Sequence, residues 1–396
     1  MKTSPMLEYH VDEYEQRLRT FCQNLNQAKI DGAIIANAQN IRYFSSFQSV
    51  TWDSKISTPA MVIISAGGEM AVISSASAFE TVQYTSCLED EHIFRHYNYN
   101  NRGANPNGQV ELIHDVLRKM GIDKGRIGLE AGAGCYLHFP IHLIENITKE
   151  CSQATFVDVS PLIWRQRQIK SFDEIAALRK ACYIYEHGLS YAVEHMALGE
   201  TTEQGFSALF AHEAFRRHAE LFLPPVVQYQ KEDDYQSGSY GRPDARIGSE
   251  SGGCLQIRRG SVTYKGMHAS RDCSIMTAKP TPKQSDWIKL CQEGQAHLLA
   301  LVRNGADIQT LGQNMRAYFA ASPVAKDAPA QLVGHGLGLD MWEAPAVDEN
   351  GRGSLQTGMV LCLGVQVGQL TLEQILAVTD YGYELLTPNV AEIVLL

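Results

Sequence analysis

At 396 residues the chain is long enough for two domains with cores of their own, since domains usually run to about 100–200 residues. Hydrophobic residues make up 44% and charged residues 20%, an ordinary globular balance, and a net charge of −10 argues against a nucleic-acid or anionic-membrane surface. No apolar run reaches the ~18–20 residues of a membrane span, the acidic N-terminus does not read as a signal peptide, and nine scattered cysteines suit free thiols in a reducing cytoplasm.

In chain order, residues 12–30 read as an amphipathic helix, with Tyr14, Leu18, Phe21, Cys22 and Leu25 at helical spacing behind Asp12 as N-cap. GAIIAN (32–37) reads as a buried strand, and AMVIIS (60–65) and MAVISS (70–75) as two more, joined by the turn Ala66-Gly67-Gly68-Glu69. A helix over 109–120 and a strand over 126–130 complete the alternation expected of a small α/β domain. Ser171 followed by Glu174 is a capping box opening a long helix. We place the domain boundary near 160–170 and divide the chain as 1–160 and 161–396. A helix over 202–219 carries His212 and Glu213, whose adjacency points them to different sides and makes a poor metal pair. The segment 254–280 reads as strands joined by a tight turn at Arg259-Gly260; helices over 282–303 and 308–320 follow, and strands over 358–367 and 372–387 close the chain.

The most informative stretch is LVGHGLGLDMWEAP, residues 332–345. Glycine on either side of His335 lets the backbone turn sharply and brings a ligand close to the imidazole. The run resembles the Gly-His-Gly-x-Gly…His-Glu-x-Pro signature of the pita-bread superfamily, which holds aminopeptidase P, prolidase, methionine aminopeptidase and creatinase. Trp342 stands where that signature has its second histidine. The N-terminal order, including the segment Asn40 to Phe47, is similar to the N-terminal domain of creatinase and prolidase. The resemblance spans about residues 10–390 and implies an α/β N-terminal domain followed by an α+β pita-bread catalytic domain.

Peptidases of this superfamily bind two divalent metals through two aspartates, a histidine and two glutamates, a donor set suited to activating a bridging water. Anchoring on Tyr264-Lys265-Gly266 puts the first aspartate position on Arg259 and the second on Ser270. His335 and Glu373 are kept, and the first glutamate falls on Gly364. A guanidinium cannot ligate, so no metal and no other cofactor is expected. The precedent in the superfamily is creatinase, which lacks the metal pair and hydrolyses a C–N bond of a small amidine. Asp272 and His335 match its site, whereas Arg242 stands where it has its acid–base histidine.

The resemblance therefore leads us to expect a metal-independent, creatinase-like hydrolase of a non-peptide C–N bond, with His335 as acid/base oriented by Asp272 and Glu373. Two alternatives stay open: a non-catalytic pita-bread protein that binds a small molecule or a protein, and a single-metal peptidase or lyase. Arg242 and Arg259 either clamp a substrate carboxylate or fill the vacated metal site through salt bridges. Glu343 is a further cleft carboxylate, His268 a second candidate base or a solvent-facing strand residue, and Trp342 an apolar wall, a cation–π platform or ordinary packing. The expected ligand is a small zwitterion or carboxylate-bearing molecule, with neither nucleic acid nor membrane as partner. As in creatinase, a homodimer is implied, in which Trp52, Asp53 and Lys55 reach across to the neighbouring subunit's site.

Overall fold

The computed structural model describes residues 1–49, 60–96, 108–135, 141–231, 245–326, 328–387 and 394–395. Trp52, Asp53, Lys55 and Arg242 lie outside them. The chain forms two compact units, Met1–Arg167 and Gln168–Leu396.

The first unit runs α1 (Val11–Gln27), β1 (Gly32–Ile35), α2 (Ala38–Ser45), β2 (Ala60–Ser65), β3 (Met70–Ser75), α3 (Phe79–Thr85), β4 (Ile93–His96), α4 (Gly108–Lys119), β5 (Arg126–Leu129), α5 (Ile141–Glu150), β6 (Thr155–Asp158) and α6 (Ser160–Gln168), whose last residue already belongs to the second unit. The strands form a mixed six-stranded sheet in the order β4-β3-β2-β1-β5-β6. Its three central strands are buried along their whole length, which is why they read as unbroken apolar runs rather than alternating ones. Helix α1 is capped by His10, not Asp12, and stops before residue 30. Lys29 turns left-handed (φ 55°) and the amide of Ile30 donates to the carbonyl of Leu25, closing the helix end.

The second unit runs α7 (Phe172–His195), α8 (Glu203–Arg216), β7 (Leu221–Leu223), β8 (Val226–Gln230), β9 (Cys254–Arg258), β10 (Ser261–Tyr264), β11 (Met267–Ala269), β12 (Cys273–Met276), α9 (Pro282–Leu301), α10 (Ile308–Ala320), β13 (Ala330–Gly336), β14 (Glu343–Ala346), β15 (Val360–Val367), β16 (Leu370–Thr379), β17 (Gly382–Leu385) and β18 (Val394–Leu395). The Ser171–Glu174 capping box is present at the start of α7. A large, mainly antiparallel sheet takes the order β14-β13-β15-β16-β12-β9-β8, with β17 beside β16 and β18 parallel to β12. The final apolar stretch thus folds as a hairpin, β16 and β17, about Asp380 and Tyr381.

One face of this sheet is covered. Leu361, Leu363 and Val365 of β15 and Leu372 and Leu376 of β16 share a core with Trp287, Leu290, Cys291, Leu298, Met315 and Phe319 of α9 and α10. Because strand side chains alternate, the intervening residues of β15 and β16 point to the other face. That face builds the site described below. At one end of the sheet Lys170 and Glu343 form an ion pair of 2.8 Å, with side chains only 3% and 1% exposed. Removing one partner of a pair this deeply buried strands the other charge, at a cost of about 3–5 kcal/mol. Lys170→Met should lose stability on that scale in urea unfolding, and a loss below about 1 kcal/mol would show that the pair is not holding the sheet end.

Candidate active site

The Gly-His-Gly run is not a turn. Gly334, His335 and Gly336 lie inside β13, with an irregularity in the pairing to β14 between His335 and Gly336. The glycines are required by close approach instead. A Cβ on Gly336 would meet the carbonyl of Ala344 at 2.3 Å, and one on Gly334 would meet the Leu363 side chain at 2.7 Å. His335 is therefore held on a rigid strand, opposite Cys362 of β15. Its Nδ1 lies 2.8 Å from the carbonyl of Gly336, so Nδ1 carries the proton and Nε2 remains an acceptor. Burial lowers its pKa, which keeps the ring neutral at pH 7.

Two residues along the same face lies a row of side chains set by strand register. Cys273 pairs with Ile257 on one side and Leu372 on the other, so the next step of the antiparallel ladders aligns Arg258, Asp272 and Glu373. Glu373 in turn faces Gly364, and Gly364 faces Val333. Arg258, Arg259, Ser270, Asp272, Val333, His335, Trp342, Gln366, Thr371 and Glu373 together line a cavity of about 220 Å³. Asp272 and Glu373 are locked to each other: the Asp272 amide donates to Glu373 Oε2 at 2.6 Å, and Asp272 Oδ1 accepts from the Arg259 amide at 2.8 Å. The Cys362 thiol adds a third contact, 3.3 Å from Glu373 Oε2. Burial pushes the Glu373 carboxyl up from 4.5 to about 8, and the Asp272 charge adds to the effect. Asp272 is also raised by burial, against the pull of the Arg259 amide and of both guanidinium charges.

Of the residues singled out from sequence, the structure brings His335, Asp272, Glu373, Arg259 and Trp342 to one cavity. Arg259 sits in the left-handed region (φ 56°), with its guanidinium 5.3 Å from the Trp342 ring centroid, and Trp342 is 51% exposed at the mouth. Two other candidates do not line this cavity. Glu343 does not line the cavity but is taken up by Lys170 and by the Asp340 amide. His268 is held by Ser261, whose Oγ lies 2.8 Å from Nδ1, on the hairpin of β10 and β11. In the sheet Arg258, the residue before the Arg259 to which the first aspartate position was assigned, is the side chain aligned with the carboxylates; Asp272 stands beside Glu373, and Ser270 lines the same cavity. Arg258 was missed because the count ran along the chain through the Arg259-Gly260 turn. Counting back from Asp272 by antiparallel pairing would have found it.

Residues 176–380, more than half of the chain, match the metallopeptidase family M24, and residues 17–169 match the creatinase/prolidase N-terminal domain. The chain belongs to the metallopeptidase family M24. It is 21% identical over 396 residues to an Xaa-Pro dipeptidase of Pyrococcus horikoshii, covering 97% of this chain and 100% of that one. Among solved structures, a dipeptidase from Pyrococcus horikoshii OT3 superposes with a TM-score of 0.79 at 20% identity, over 96% of this chain and 100% of the other. An Xaa-Pro dipeptidase from Bacillus anthracis does so with a TM-score of 0.78 at 19% identity, over 98% and 100%. The fold is thus a creatinase-type N-terminal domain followed by a pita-bread domain. These comparisons overturn the expectation of a creatinase-like hydrolase of a non-peptide C–N bond, because the similar proteins are named for peptide hydrolysis.

The two-metal centre that the family implies does not fit the residues present. In the row where its carboxylates would stand, Arg258 brings a fixed positive charge. At Gly364 a Cβ would lie 2.2 Å from the Leu372 carbonyl and 2.6 Å from Glu373 Cγ, so the strand has no room there for a glutamate. Among the described residues, no group of three or more His, Cys, Asp or Glu is arranged to hold a metal ion.

The buried carboxyl pair predicts a pH dependence whose sign follows from linkage. A Glu373 carboxyl of about 8 in the folded chain and 4.5 unfolded keeps its proton in the native state while the unfolded state releases it. The stabilisation is complete below pH 4.5 and is lost as pH rises to about 8, at up to ~1.4 kcal/mol per unit. In chelator-treated buffer, unfolding of the Glu373→Gln variant should show a flatter decline across that window. A slope identical to that of the parent would mean Glu373 is ionised in the fold.

Proposed function

We propose that this chain hydrolyses the amide bond of short peptides of the Xaa-Pro kind in the cleft between Arg258 and His335. The observation that carries the reading is the Asp272–Glu373 pair, a half-buried and a buried carboxyl in one row of a rigid sheet within a peptidase fold, with the Asp272 amide bonded to Glu373. The names of the similar proteins support the bond type, and the cavity of about 220 Å³ suits a ligand on the scale of a dipeptide rather than a folded chain.

The chemistry assigns one proton to the pair. Asp272, steadied by the Arg259 amide and by two guanidinium charges, ionises before Glu373. Asp272 then takes a proton from the attacking water as the oxygen–carbon bond forms. Glu373 gives its proton to the departing amide nitrogen as the carbon–nitrogen bond breaks. The proton returns between the two neighbouring carboxyls after product leaves. His335 offers Nε2 as an acceptor, which suits a hydrogen bond from the substrate's N–H or amine. Trp342 and Arg259 form the mouth.

The test is a panel of Xaa-Pro and control dipeptides followed by mass spectrometry, run with added divalent metal and with chelator. Xaa-Pro cleavage is expected, with Asp272→Asn and Glu373→Gln each lowering kcat by about 10²–10⁴-fold. Cleavage that survives both substitutions would remove the carboxyl pair from the mechanism. Peptide binding without turnover under every condition would overturn the hydrolytic reading.

A further inference from the structure

Arg258 ends β9 in the row of Asp272 and Glu373 and lines the cavity. Its Nη2 is buried and has no hydrogen-bond partner among the described residues. Asp272, its neighbour in the row, accepts from the Arg259 amide through Oδ1 and makes no hydrogen bond to Arg258 Nη2. A buried guanidinium N–H left without an acceptor is costly, and folded chains rarely retain one without a use. A second guanidinium, that of Arg259, stands at the mouth over Trp342. The cavity therefore presents two arginines at one end and an acceptor imidazole nitrogen at His335, with the carboxyl pair between them.

We infer that Arg258 is the specificity-determining anchor of this cleft, pairing its open Nη2 edge with a free carboxylate of the bound peptide. A carboxylate offers two coplanar oxygens to the planar guanidinium fork, which a neutral carboxamide cannot match in charge or geometry. The inference rests on the short-peptide reading above. It also gives the arginine a positive role in a row where the family's metal-binding carboxylates would otherwise lie. The ligand class is narrowed to peptides with an unblocked C-terminus whose carboxylate reaches Arg258, and peptides amidated at that end are excluded.

The experiment is calorimetric titration with a non-hydrolysable ketomethylene isostere of Ala-Pro and with the C-terminal amide of the same isostere. The parent protein should bind the free acid at least tenfold more tightly than the amide. Arg258→Gln should reduce that preference to less than about threefold, and Arg258→Lys should keep part of it. Thermal unfolding separates this role from a structural one: Arg258→Gln should keep a single cooperative transition and remain folded at the temperature of the titration, so that a lost preference reports the anchor and not a damaged fold. Equal binding of acid and amide by the parent, or an undiminished preference in Arg258→Gln, overturns the inference and leaves the peptide reading standing. If neither compound binds, the peptide reading fails and the inference falls with it.

Discussion

The hydrogen bond from the Asp272 amide to Glu373 Oε2 is the constraint on which the rest of this site depends. It joins β12 to β16, where the ladder between those strands is reduced to the single pairing Cys273–Leu372. A slip of one residue there would turn every side chain of one strand to the opposite face. The carboxylate is thus both a cavity residue and the pin of the register that creates the cavity. On the far face β16 presents Leu372 and Leu376, and β12 presents Met276, to the core shared with α9, so a change at Glu373 is felt by the core as well as by the cleft.

The family pattern of a pita-bread domain survives here with its electrostatics inverted. A site meant for cations needs carboxylates on all sides; this one interposes arginine at Arg258 and Arg259 and loses a side chain altogether at Gly364. The space at Gly364 has been closed by Glu373 itself, whose Cγ fills the volume a Cβ would need. The two retained donors, His335 and Glu373, keep their places on strands β13 and β15's partner β16, yet their surroundings give them different duties: a neutral acceptor in one case and a proton-bearing carboxyl in the other.

Much of the fold was legible in the sequence. The buried runs at 32–35, 60–65 and 70–75, the Ser171–Glu174 cap and the helix at 308–320 are all where apolar patterning and cap chemistry place them. The site was legible only in part. Residue types near His335 announce themselves, but which of them meet depends on pairings between strands more than 100 residues apart, as for Asp272 and Glu373. Linear counting fails at Arg259, where a left-handed residue in the turn shifts the count by one. Nor does sequence show that Glu343 is spent on Lys170, since both look equally available until their burial is known. The Gly-His-Gly run misled for a related reason: glycine serves tight contact between strands as readily as it serves turns.

Eight of the nine cysteines are buried and all nine are free, Cys135 alone being half-buried. Burial raises the thiols, Cys362 well above its ordinary value, so in the folded chain they are protonated and shielded from alkylating reagents. They are also divided between the units: Cys22, Cys87, Cys135 and Cys151 in the first, and Cys182, Cys254, Cys273, Cys291 and Cys362 in the second. The chain thereby carries a native set of clocks. The rate at which each thiol takes up label measures how often its own part of the fold opens, and Cys362 times the opening of the cleft floor itself.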